Sequence, residues 1–164
     1  MTVVNFSDFF DVLKNLLASS KILNYKPNMN EAIVFDLDGT IVFDGTWDTP
    51  ILPITNFIKH CNDLNISVII ITARPGFESN INNTRNSLQK LAINCDRFFF
   101  KNPDFKDIKE FKINARNYVT DILKHNILMS IGDNSWDMGK YGGLGILMNA
   151  NIDSNQFIDY KIFS

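Results

Sequence analysis

The chain has only two cysteines among its 164 residues, Cys61 and Cys95. They lie far apart and outside any CxxC or CxxH pattern, so neither a disulfide framework nor a cysteine-based metal site is expected; both are read as buried free thiols in a reducing compartment. An excess of charge of one sign is also missing. Sixteen Lys and Arg stand against 18 Asp and Glu, giving a net charge of −2 and a pI near 5.6. No overall field is available to hold a polyanion, so charge does not indicate a nucleic-acid partner, although a local basic patch remains compatible with one. Long hydrophobic runs are absent too: no stretch approaches the ~20 residues of a membrane span, and Asp8, Asp11 and Lys14 interrupt the opening segment where a signal-peptide core would lie. The expectation is a cytoplasmic protein without a membrane partner. Internal repeats, low-complexity tracts and interdomain linkers are lacking as well.

Hydrophobic residues at 45% and charged residues at 21% are ordinary for a folded domain, and at this length about 70% of the unfolded chain's surface is hidden on folding. Phe6, Phe9, Phe10, Leu13, Leu16 and Leu17 follow helical spacing, with Ser7 expected as N-cap and Asp8 and Asp11 favourable in the first turn. A loop is expected from Asn24 to Asn30 around Pro27. Residues 1–30 are therefore read as an amphipathic helix and loop packed on a catalytic domain of residues 31–164. In that domain short apolar runs (Ala32 to Phe35, Val68 to Ile71, Phe98 to Phe100, Ile127 to Ile131, Gly145 to Met148) alternate with helical patterns at Ile51 to Leu64, Glu78 to Leu91 and Ile108 to His125. This alternation predicts an α/β fold with a central parallel sheet wrapped by helices, in which ligands bind beyond the carboxyl ends of the strands.

The strongest chemical signal is Asp36-Leu37-Asp38-Gly39-Thr40 at the end of the first of these runs. In extended chain, residues two apart point the same way, so Asp36 and Asp38 can face one reacting group, and Gly39 lets the chain leave the strand sharply. A carboxylate approaching a phosphate meets like charge, which calls for a divalent cation, and oxygen ligands select a hard ion such as Mg²⁺. Asp36 is then nucleophile and ligand, and Asp38 the general acid and base. A second apolar run ends in Thr72-Ala73-Arg74-Pro75, offering the Thr72 hydroxyl to a phosphate oxygen; Arg74 is read either as a phosphate fork or as a solvated surface charge. A third ends in Gly132-Asp133, with Asp133 the natural second metal ligand, and Asp137 follows as a ligand through water or a brace for the loop. Of Lys101, Lys106, Lys109 and Lys112, most are expected to be solvated, while one is wanted as a fixed cation against the transition-state charge.

The ordered set Asp36-Leu37-Asp38-Gly39-Thr40, Thr72, Lys112 and Gly132-Asp133 to Asp137 resembles the haloacid dehalogenase superfamily over about Ala32 to Met148. The resemblance implies a Rossmann-like three-layer α/β/α fold. It implies Asp36 as nucleophile, Asp38 as acid/base, and Mg²⁺ held by Asp36, the main-chain oxygen of Asp38, and Asp133, with Asp137 nearby. Thr72 and Lys112 complete the catalytic set, and Thr40, Ala73 and Arg74 are expected at the substrate. In that superfamily an acid at the position of Asp38 argues against dehalogenation and for a phosphatase or phosphomutase. Thr72 to Pro75, Thr84, Leu88, and Lys112 with Arg116 four residues on are similar to the acid-phosphatase and vegetative-storage-protein branch. That four-residue spacing favours Lys112 over Lys109. Departures are Asn134-Ser135-Trp136 in place of Gln-Trp-Ser, and Ala92-Ile93 where Gly and an aromatic are usual.

The expectation is thus a Mg²⁺-dependent phosphomonoester hydrolase working through an aspartyl-phosphate on a phosphorylated substrate. The alternatives are a polynucleotide 3′-phosphatase or nucleotidase-type end-processing enzyme, and a binding or storage protein on a retired scaffold; an oligomer is left open. Between Thr40 and Thr72 only about Ile41 to Pro50 is free, and between Thr72 and Lys112 only Lys101 to Asp107, too little for a cap domain.

Overall fold

The computed structural model describes residues 1–154 and 156–164. In them β1 (Thr2–Asn5) and α1 (Phe6–Leu23) precede β2 (Asn30–Phe35), α2 (Leu52–Asp63), β3 (Ser67–Pro75), α3 (Glu78–Lys90), β4 (Arg97–Lys101), α4 (Ile108–Asp121) and β5 (His125–Gly132). β6 (Leu144–Ala150) and β7 (Phe157–Phe163) close the chain. The strands form one sheet in the order β1-β7-β6-β5-β2-β3-β4; β6, β5, β2, β3 and β4 are parallel, and β7 and β1 add antiparallel at one edge. This is a Rossmann-like, three-layer α/β arrangement.

Chain direction explains the layers. From β2 through β3 to β4 the chain moves one way across the sheet, and Leu88 of α3 joins Phe57 and Ile58 of α2 in a single core cluster with Ile33, Phe35 and Ile70. The step from β4 back to β5 reverses direction and brings α4 to the opposite face, where Ala115 and Val119 pack on Ala32, Val34, Ile69 and Ile71. α1 lies on the first face through Phe9, Leu13 and Leu17, all essentially inaccessible. Each such side chain contributes about 1.5–3 kcal/mol by leaving water.

Several expectations need correction. Asn5, not Ser7, caps α1: its Oδ1 accepts from the Asp8 N–H at 2.7 Å, which places Ser7 inside the first turn. Asn30 enters β2 rather than closing the preceding loop. α4 ends at Asp121, because Lys124 adopts a left-handed φ of 59° and His125 already starts β5. The edge strands β1 and β7 were unforeseen; β1 has four residues, and in β7 Phe157, Ile162 and Phe163 stay partly exposed beside the polar Asp159 and Lys161, so no clean inside-outside alternation marks it. Pairing of β1 with β7 makes the N-terminal segment part of the sheet as well as of the helical layer. Among the described residues no helix is long and apolar enough to cross a membrane.

Candidate active site

β2 and β5 are neighbours, so their carboxyl ends deliver Asp36 and Asp133 side by side; the Asp36 N–H donates to the Ile131 carbonyl at 2.9 Å and ties the two ends together. Close approach is possible only because Gly39 lacks a side chain. Its φ is +79°, and a Cβ there would run into the Asp133 carboxylate. Gly132 plays the same part for Asp137, whose side chain occupies the space a Cβ would fill. One carboxylate oxygen from each of Asp36, Asp133 and Asp137 lies within 4.8 Å of the others.

Lys112 reaches this cluster from the first turns of α4. Its side chain is 2% exposed, and Nζ donates to Asp36 Oδ1 at 2.8 Å and to the Ile71 carbonyl at 2.7 Å. It also lies 2.7 Å from Asp137 Oδ1, which nevertheless takes no well-aligned hydrogen bond. Burial by itself would lower the Lys112 pKa; the Asp36 and Asp137 carboxylates outweigh it and hold it above the ordinary lysine value. Lys109, one turn earlier, is exposed. Arg116, one turn later, is buried and donates to the carbonyls of Trp136, Met138 and Lys140 at 2.9, 3.1 and 2.9 Å, fixing the loop that carries Asp137.

Three carboxylates against one ammonium leave the cluster negative, and its acids show it. Burial first, then Asp36, pushes Asp133 from 3.8 up to about 8 and Asp137 from 3.8 to about 6. All-oxygen donors, an excess of negative charge and the buried Asp137 oxygen with unspent acceptor capacity fit a hard divalent cation.

The remaining sequence-predicted residues are distributed around this cluster. The buried Thr40 hydroxyl points to Asp36 Oδ2 at 3.4 Å. Thr72 ends the buried part of β3, where its Oγ1 accepts the Arg74 N–H at 3.1 Å, and Ala73 is half-buried beside it. The Asp38 carboxylate stands outside the three-acid cluster: both its oxygens accept from Arg74, at 2.8 and 2.6 Å. Arg74 is therefore neither a solvated charge nor an unengaged fork. Trp47, whose ring centroid lies 4.4 Å from the Arg74 guanidinium carbon, was not foreseen; its only signal was a large aromatic within the polar stretch that follows Phe43.

No folded insert stands over Asp36 among the described residues. The segment after Asp38 forms only a small flap, with Val42 bridged to Asp38 and Pro50, and a cleft of about 290 Å³ opens beside it along Gly39, Phe43, Asp44 and Asp133.

No family model matches the sequence, and no curated protein matches it. Solved structures do. A chain from the structure of a Pnkp1/Rnl/Hen1 complex matches with a TM-score of 0.58 and 17% identity, over 68% of this chain and 42% of that one. A second, from the Pnkp1/Rnl/Hen1 RNA repair complex, gives 0.57 and 17% over 68% and 39%. The likeness is one of fold, and the matched region is less than half of either of those chains.

Proposed function

We propose that this chain is a phosphatase of the haloacid dehalogenase type that hydrolyses phosphomonoesters through a phosphorylated Asp36. The carrying observation is the buried Lys112 ammonium bonded to Asp36 while Asp133 and Asp137 close around the same carboxylate. Asp36, Asp133, Asp137 and the main-chain oxygen of Asp38 would hold Mg²⁺, which supplies positive charge to phosphate oxygens. An Asp36 oxygen attacks phosphorus as the bond to the leaving oxygen breaks, and the Asp38 carboxyl gives that oxygen its proton. Water then attacks the phosphorus of the acyl phosphate, yields its proton to Asp38, and restores Asp36. Lys112 offsets the growing equatorial charge from a fixed position, at no reorganisation cost. Thr72 offers a hydroxyl to a phosphate oxygen from the end of β3.

Phosphate at a nucleic-acid end is a narrower reading of the same chemistry. The open site favours it, since a polymer terminus needs no enclosing cap, and the RNA repair assembly of the fold neighbours makes such ends early substrates to try. The test is phosphate release with Mg²⁺ from nucleotides, sugar phosphates, phosphopeptides and 3′-phosphorylated oligonucleotides. Asp36→Asn is expected to abolish release while circular dichroism stays native; retention of more than a few per cent of the rate would rule out the covalent route.

A further inference from the structure

Every guanidinium nitrogen of Arg74 already has a partner within the protein. Nε and Nη2 serve the two Asp38 oxygens, and Nη1 donates to the buried Thr84 hydroxyl at 2.9 Å. The guanidinium carbon also lies over the Trp47 ring, 4.4 Å from its centroid. Trp47 belongs to a tight turn in which the Phe43 N–H donates to the Thr49 carbonyl at 2.9 Å and Thr46 donates twice to the Phe43 carbonyl. The indole is thus braced from one side by a cation that is only 10% exposed, yet remains 48% exposed itself. A large aromatic ring held in place with an unpacked outer face is a stacking surface awaiting a planar partner.

Its position selects the partner. Taking Asp38 as the acid, as proposed above, the leaving group must lie on the Asp38 side of the phosphate, and Asp38, still 33% exposed, is the residue to which Arg74 and so Trp47 are fastened. Asp38 meets the edge of the guanidinium and the indole lies against its central carbon, so Arg74 stands beside both, and a ring on the outer face of Trp47 has the indole between it and Arg74. A ring stacked on its outer face is therefore separated from the leaving oxygen by a spacer, which a ribose supplies and a phenolic ester does not. We infer that Trp47, braced by Arg74, is a leaving-group subsite for a nucleobase, so that the substrate is a nucleoside phosphate, either free or at the end of an oligonucleotide.

The ratio of kcat/KM for adenosine monophosphate, or for a 3′-phosphorylated oligonucleotide, to that for glycerol phosphate is expected to fall about 10- to 10²-fold in Trp47→Ala, the range that stacking of one base commands. Trp47→Phe, which keeps an aromatic face, retains most of the ratio, and the arm with the larger dependence identifies the free or the polymeric source. An equal loss on all substrates, or a Trp47-dependent preference for phosphotyrosine, overturns the inference. A second readout needs neither metal nor turnover: in the Trp136→Phe chain, adenosine is expected to quench Trp47 fluorescence saturably. Absence of saturable quenching also overturns the subsite. If no substrate releases phosphate while quenching persists, the phosphatase reading falls and the nucleoside subsite stands.

Discussion

Lys112 is the residue on which the site's electrostatics turn. A buried ammonium between two carboxylates and a carbonyl cannot be replaced from solvent, whereas Lys109 one turn away faces water. Lys112→Ala is expected to lower kcat/KM by at least about 10²-fold, the loss typical of a fixed group that meets developing charge, with Lys109→Ala within about twofold. The reverse order of sensitivity in steady-state kinetics would remove Lys112 from the catalytic set. Asp133 and Asp137 carry the complementary prediction. Their folded-state pKa values, about 8 and about 6, lie above the ordinary 3.8, so their contribution to stability is whole below about pH 4 and is lost as pH rises through those values. In EDTA the Tm should therefore fall between pH 5 and pH 8. Mg²⁺ should raise it, by more at pH 8 than at pH 5, since the cation binds the ionised acids. A Tm in EDTA that climbs with pH across this window would contradict the charge balance assigned to the cluster.

At the scale of elements, α4 does two tasks from one stripe. Lys112, Ala115, Arg116 and Val119 recur at helical spacing on its buried side, so the same face that packs on the sheet also delivers the cation and clamps the Asp137 loop. That helix was legible as a pattern, but its spacing did not separate Lys112 from Lys109; only the family resemblance, with Lys and Arg four residues apart, singled out Lys112. Caps were less legible. Asn5 and Ser7 are both good capping types, and only the backbone path decides which precedes the first helical turn. Asn5→Ala is expected to cost about 1 kcal/mol in urea unfolding and Ser7→Ala only a few tenths. Equal losses would return the cap to Ser7.

The whole molecule sets what stays closed. Cys61 is buried on the inner face of α2 and Cys95 half-buried before β4, and burial raises both thiols from 9.0 to about 12. At pH 8 the thiolate fraction is then about 10³-fold below that of a free cysteine, so iodoacetamide labelling should be at least about 10²-fold slower in the native protein than in urea. Fast native labelling, followed by mass spectrometry, would show that the sheet edge at β4 opens without global unfolding.

The parallel strands and their order of chemistry were fixed by the sequence, because near-continuous apolar runs ending in Asp36, Thr72 and Asp133 admit few arrangements other than buried strands with their carboxyl ends together. Local spacing also decided the absence of room for a cap. The antiparallel edge of β1 and β7 escaped, because pairing across most of the chain's length leaves no local periodicity to read. The partnership of Asp38 with Arg74 and the placing of the Trp47 ring against that guanidinium were likewise settled only in three dimensions. Residues 36 positions apart carry no mutual signal in the chain, and their contact exists because β2 and β3 lie side by side and the flap folds back over the ends of both.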